Sequence, residues 1–117
     1  MLGALVAAKD NSNANSFKGV RHIVLFKFKD GVAQAEIDKI VDAFGELENK
    51  IEQIVDYEAG TNVSPENLDQ GFTHAFVVSF KTIKDRDDYL PHPAHKEFVK
   101  LLDGKIDKVL VFDFETK

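Results

Sequence analysis

Two runs of mainly β-branched and aromatic residues, Val20–Phe28 and Phe72–Phe80, constrain the fold of this chain most strongly. Such runs predict β-strands, and the first one stops at the turn pair Asp30-Gly31. Side chains alternate between the two faces of a strand, and both runs place apolar residues on both faces. Both faces of these strands must therefore be covered, which excludes a sheet with one face fully in water.

The rest of the chain predicts two helical regions and two further strands. An amphipathic helix of about four to five turns is predicted by apolar residues at three- and four-residue steps: Ile37, Ile40, Val41, Phe44, Leu47 and Ile51. Alternation predicts a strand over 55–61, and a short helix over 82–90 ends at Pro91. A further helix begins at Pro93 and a last strand covers 109–114.

This order, β-α-β-β-α-β with the second helical region broken at its prolines, predicts an α+β fold of the ferredoxin-like sandwich type. Helices then cover one face of a four-stranded antiparallel sheet. The face bearing Val24, Phe26, Phe76 and Val78 is expected to need a different cover, because large apolar patches usually mark an interface. We expect two sheets to pack face to face in a twofold homodimer, which makes a dimeric α+β barrel with a space between the sheets.

Composition excludes several classes of function. A chain of 117 residues has room for one domain. Its net charge is −5 and its basic residues are scattered, which disfavours nucleic acid as a partner. Cysteine is absent, so there is no thiolate nucleophile and no zinc site of the Cys type. The longest apolar run near the start, Leu2 to Ala8, is far shorter than the about 20 residues of a membrane span, so we expect no membrane partner.

Residues 1–17 are predicted to lie outside the folded domain, which covers 18–117. They combine an apolar stretch, 1–8, with a polar stretch, 9–16. The apolar stretch is either an N-terminal arm or the remnant of a processed leader, although the basic residues that open a signal peptide are missing. A cytoplasmic location is favoured unless the apolar stretch is a leader remnant, so the cellular compartment is not decided.

The segment from Tyr89 to His95 carries the clearest signal for chemistry. Pro91 and Pro93 stiffen the backbone on both sides of His92. Tyr89 ends one helix and His95 lies in the first turn of the next, so a phenol can donate to a carbonyl oxygen while an imidazole removes a proton. That pair suits enolate or aldol chemistry. A proline-stabilised corner on which Tyr89 and His95 only pack explains the same spacing.

Two more histidines, His22 and His74, lie on the first and third predicted strands. If their faces look into one space, two imidazoles line it; otherwise each is a core or interface histidine with one satisfied hydrogen bond. We therefore predict a catalytic pair and a set of ligand-binding residues. The catalytic pair is Tyr89 and His95, and the ligand-binding residues are His22, Val24, Phe26, His74, Phe76 and His92.

No metal site or cofactor is predicted. His92-x-x-His95 lacks a third ligand. The acidic run Asp85–Asp88 is typical of a solvated helix start that complements the helix dipole. Serine nucleophile motifs and glycine-rich phosphate loops are absent.

Several motifs in sequence order resemble the stress-responsive A/B barrel (Dabb) family of dimeric α+β barrels. They are Arg21–Lys29, Gly71–His74, the His-Pro-Ala-His core after Tyr89, and Val109–Phe114. The resemblance spans about residues 18 to 117 and implies the barrel fold and the homodimer.

This family includes heat-stable plant stress proteins and a polyketide cyclase. In the cyclase, the residues matching Tyr89 and His95 are the catalytic phenol and base, and those matching His22 and His74 lie at the pocket. The resemblance thus implies a barrel pocket for a small aromatic or carbonyl compound. The alternatives are an aldol cyclase or lyase using Tyr89 and His95, and a non-catalytic stress-associated structural protein.

Overall fold

A computed structural model describes residues 16–117, which form a four-stranded antiparallel sheet and three helices. The elements are β1 (Val20–Phe28), α1 (Gln34–Lys50), β2 (Ile54–Thr61), β3 (His74–Phe80), α2 (Ile83–Tyr89), α3 (Pro93–Leu101) and β4 (Ile106–Glu115). The strand order across the sheet is β2-β3-β1-β4. The predicted ferredoxin-like α+β architecture is confirmed, with the second helical region divided into α2 and α3. The expected arm, 1–17, lies almost wholly outside the described residues.

Helix α1 packs its apolar stripe on the sheet. Ile40, Phe44 and Leu47 are buried, as the three- and four-residue spacing predicts. The helix continues through Gly45, a residue that weakens isolated helices. A Cβ atom at Gly45 would lie 3.2 Å from the ring of Tyr57, so the glycine allows the β2 tyrosine to approach the helix backbone closely.

The proline corner between α2 and α3 is fixed by caps. The Thr82 hydroxyl accepts a hydrogen bond from the Asp85 N–H at 3.0 Å and begins α2. His92 begins α3, because its Nδ1 accepts from the Ala94 N–H at 3.0 Å while Pro93 occupies the first helical position. These caps set the directions of the two helices that carry Tyr89 and His95.

The helices cover the sheet face that the sequence assigned to the dimer interface. Val24, Phe26, Phe76 and Val78 are buried within one chain, and the Phe76 ring stacks on Phe44 of α1 with centroids 4.6 Å apart. Strand alternation shows which side chains share a face, but it does not show which face the helices take. The predicted choice of face was therefore wrong.

The opposite sheet face is open in the single chain. It carries Ile23, Leu25 and Val77, and the paired register places Phe112 of β4 beside Ile23. Phe112 is 60% exposed. An uncovered apolar face is thus present as the sequence required, but on other residues. Within 16–117, no helix combines the length and apolarity that crossing a membrane requires.

Candidate functional site

A cavity of about 310 Å³ lies between the helix-covered sheet face and the α2–α3 corner. Its walls are mainly apolar, with Val24 and Phe26 on β1 and Phe98 on α3. Tyr89 and His95 border it together. The sequence placed this space between two sheets; in the structure it lies between the sheet and the helices of one chain, because the helices took the face expected to be free.

Tyr89 borders this cavity and has a buried hydroxyl without a partner among the described residues. Its side chain is fully buried, and its ring centroid lies 4.4 Å from that of His95. Within residues 16–117, no protein group hydrogen-bonds its hydroxyl. Burial, reinforced by the charge of Asp113, raises the pKa of Tyr89. The phenol therefore keeps its proton at neutral pH, and its O–H donor has no acceptor among the described residues.

His95 brings a proton acceptor. Its Nδ1 lies 2.9 Å from the carbonyl oxygen of Leu90. A carbonyl oxygen can only accept, so Nδ1 carries the proton and Nε2 of the neutral ring has a free lone pair. Burial lowers the pKa of His95, and the hydrogen bond to Leu90 opposes that effect in part. The ring is thus neutral at pH 7, which is the state a general base needs.

His22 completes the polar part of the cavity. Its ring meets the Tyr89 ring edge-on with centroids 5.6 Å apart. Its Nδ1 lies 2.7 Å from Oδ1 of Asp113, and Arg86 donates to Oδ2 of the same carboxylate. His22, Tyr89 and His95 therefore form one cluster of rings, and the ion pair between Asp113 and Arg86 holds the His22 ring.

Sequence reasoning missed Asp113 and Arg86. Arg86 belongs to the run that was expected to be solvated, yet its side chain is only 21% exposed and reaches across to β4. A signal was present in the sequence: Asp113 is a single carboxylate within the apolar run Val109–Phe114. A charged side chain within an apolar strand indicates an oppositely charged partner beside it.

Three of the expected ligand-binding residues lie away from this cavity. His74 packs edge-on against Phe28, with centroids 5.1 Å apart, and borders a separate groove of about 460 Å³ between α1 and the β2–β3 pair. Phe76 lies in the core and at the same groove. Nδ1 of His92 accepts the hydrogen bond that caps α3. The structure brings together Tyr89, His95, His22, Val24 and Phe26 and leaves these three outside.

The described part of the chain, 16–117, holds no group of three or more histidine or acidic side chains arranged to bind a metal ion. The cavity instead offers one phenol and two imidazoles within apolar walls. The molecule is thus an α+β sandwich whose helix corner and sheet border a small site suited to acid–base chemistry.

The chain belongs to the stress responsive A/B barrel domain family, whose family model matches residues 20–116. It is 41% identical over 96 residues to the stress-response A/B barrel domain-containing protein HS1 of Arabidopsis thaliana, covering 82% of this chain and 88% of that one. It is 32% identical over 95 residues to olivetolic acid cyclase of Cannabis sativa, covering 81% and 94%.

Two solved structures share the fold over most of their length. A hydroxynitrile lyase from Passiflora edulis superposes with a TM-score of 0.80 at 29% identity, covering 86% of this chain and 94% of that one. A dimeric protein of ferredoxin-like fold from Bacteroides fragilis superposes with a TM-score of 0.66 at 31% identity, covering 83% and 95%.

Proposed function

We propose that this protein is a homodimer in which each chain binds a small aromatic or other apolar carbonyl compound and moves a proton next to its carbonyl group. One observation carries the proposal: the buried Tyr89 hydroxyl has no protein partner within 16–117 and stands beside His95 at a mainly apolar cavity. An unpaired buried hydroxyl is costly to the fold, so a ligand oxygen is the natural partner for it.

The two groups divide the work of enolisation. The Tyr89 O–H donates to the carbonyl oxygen of the ligand and stabilises the negative charge that develops there. Nε2 of His95 takes a proton from the carbon next to the carbonyl, and the C–H electron pair becomes the new C=C bond of the enol or enolate. Return of the proton restores the carbonyl, while attack of the enolate carbon on a second carbonyl forms a carbon–carbon bond.

Two relatives support this chemistry by their names, since one is a cyclase and the other a hydroxynitrile lyase. The cavity volume of about 310 Å³ lies at the lower end of the range for small-molecule sites. A compound with a single ring fits this volume, and an adjoining groove of about 550 Å³, which shares Phe26, Val99 and Val109 with the cavity, leaves room for a longer chain. A polyketide-cyclase-like reaction therefore remains the second candidate, and a non-catalytic stress-associated structural role is the outcome if no compound binds.

The homodimer is supported by the open sheet face and by the dimeric relative from Bacteroides fragilis. Phe112 and Phe114 are 60% and 42% exposed in the single chain, with Leu110 on the same face. A second copy of this face is its natural cover, because a twofold axis makes the patch complementary to itself.

Proton exchange tests the catalytic proposal with a simple aromatic ketone as the probe. Acetophenone is incubated with the protein in D₂O, and loss of its methyl signal is followed by proton NMR. We expect exchange above the buffer rate, a fall to the buffer rate in His95→Gln, and a fall of about a hundredfold in Tyr89→Phe. His74→Gln is the matched control, because that histidine lies outside the cavity.

The possible results separate the candidates. Exchange that His74→Gln reduces as strongly as His95→Gln contradicts the assignment of the base. Saturable binding of acetophenone without proton exchange indicates that the protein binds the compound but does not catalyse a reaction on it. Absence of both across a panel of small aldehydes and ketones favours the structural role.

A further inference from the structure

The His22 ring is held by a carboxylate that is itself held by a guanidinium. The three groups lie on three elements: His22 on β1, Asp113 on β4 and Arg86 on α2. Their side chains are 6%, 19% and 21% exposed, so the chain of contacts is largely shielded from water. Groups held this way keep one geometry, because each donor and acceptor has a fixed partner.

This arrangement decides which ring nitrogen of His22 carries the proton. An ionised carboxylate only accepts hydrogen bonds, so Nδ1 of His22 must be the donor toward Asp113. Arg86 is permanently charged, and its guanidinium contacts both Asp113 and Asp87.

A neutral ring with its proton on Nδ1 has a lone pair on Nε2. Among residues 16–117 no group hydrogen-bonds this Nε2, and His22 borders the cavity. The cavity thus presents two ring nitrogens as acceptors, from His22 and His95, and one donor, the Tyr89 hydroxyl.

We propose that Arg86 and Asp113 are positioning residues that keep Nε2 of His22 a hydrogen-bond acceptor inside the cavity, so that the cavity selects ligands carrying a hydroxyl donor. The preferred ligand then has a hydroxyl group as well as the carbonyl that meets Tyr89. The carbonyl part rests on the proposed function, whereas the His22 tautomer and the hydroxyl preference do not.

The tautomer is read from long-range ¹H–¹⁵N correlation spectra of the histidine rings at about pH 8, where rings near the usual pKa are neutral. His22→Asn assigns the His22 signals. We expect the wild-type ring to carry its proton on Nδ1. In Asp113→Asn the proton should move to Nε2, because Arg86 claims the amide oxygen and leaves the amide NH₂ to donate to Nδ1.

Arg86 is tested by the double variant Arg86→Leu/Asp113→Asn. Without the guanidinium the amide can rotate and accept from Nδ1, so the wild-type tautomer should return. Asp107→Asn is the matched control, since it alters an exposed carboxylate on the same strand that pairs with Lys27, and it should leave His22 unchanged. A wild-type ring protonated on Nε2 overturns the proposal, whether or not the Asp113 variants fold. An Asp113→Asn ring that keeps the wild-type tautomer also overturns it.

Ligand selection is tested with phenol and anisole, which differ by a hydroxyl donor against a methyl ether. Wild type should bind phenol about tenfold more tightly, the effect of one good hydrogen bond. That preference should fall several-fold in Asp113→Asn and persist in Asp107→Asn. Equal affinities in wild type, or a preference unchanged after the tautomer has switched, overturn the hydroxyl selection. Failure of acetophenone exchange alone contradicts only the proposed function.

Discussion

Removing the Tyr89 hydroxyl should make the protein more stable while weakening its ligand binding. The side chain is fully buried and its hydroxyl has no protein partner within residues 16–117. An unsatisfied buried polar group costs about 1–3 kcal/mol. Tyr89→Phe keeps the ring contacts with His95, Phe80 and His22 and removes only that cost. We expect a gain of about 1 kcal/mol, the lower end of the range.

For a domain of this size, about 1 kcal/mol corresponds to a rise in Tm of about 4–8 °C, measurable by scanning calorimetry. The chain offers a matched control in its other tyrosine, Tyr57. Its hydroxyl donates to the Val41 carbonyl at 3.4 Å, so Tyr57→Phe should lower Tm by a few degrees.

Ligand affinity should change in the opposite sense. Loss of one hydrogen bond to the carbonyl of acetophenone weakens binding by about five- to tenfold in Tyr89→Phe, with no change in Tyr57→Phe. If Tyr89→Phe lowers Tm as Tyr57→Phe does and leaves the affinity for acetophenone unchanged, the Tyr89 hydroxyl has a structural role and this reasoning is refuted.

Three further outcomes are expected. Phe76→Ala should cost about 3–5 kcal/mol in chemical denaturation, because the ring is fully buried and stacks on Phe44. Phe112→Asp should leave the fold intact by circular dichroism but yield monomers in sedimentation. The Phe112 ring is 60% exposed in one chain, so burying it at the proposed interface contributes about 3 kcal/mol to dimerisation, which the substitution removes. Persistent dimers would contradict the assigned face. His95 favours its neutral form when folded, so its stabilising contribution is complete above the unfolded pKa of about 6.5 and is lost as pH falls below it. His95→Gln should therefore flatten the fall of Tm between pH 7 and 5, and an unchanged slope would contradict the burial of that ring.

The fold could be predicted well from local pattern. Runs of β-branched and aromatic residues located β1 and β3, because such residues favour strands, and the three- and four-residue spacing located α1, because that spacing follows from helix geometry. The pairing of Tyr89 with His95 was also predictable, since only a stiff corner of a few residues separates them. In both cases the information lies within one short segment.

Other features of the site depend on contacts between segments that are distant in the sequence, and only the tertiary structure shows them. His22 and Asp113 are 91 positions apart, and Arg86 and Asp113 are 27 apart, so only the β1–β4 register and the docking of α2 bring them together. The side of the sheet that the helices cover was likewise undetermined by alternation, which treats both faces alike. The sequence by itself therefore determined the elements and the phenol–imidazole corner. The docking of the helices decided where the cavity lies, which histidine joins it, and which apolar face is left for a second chain.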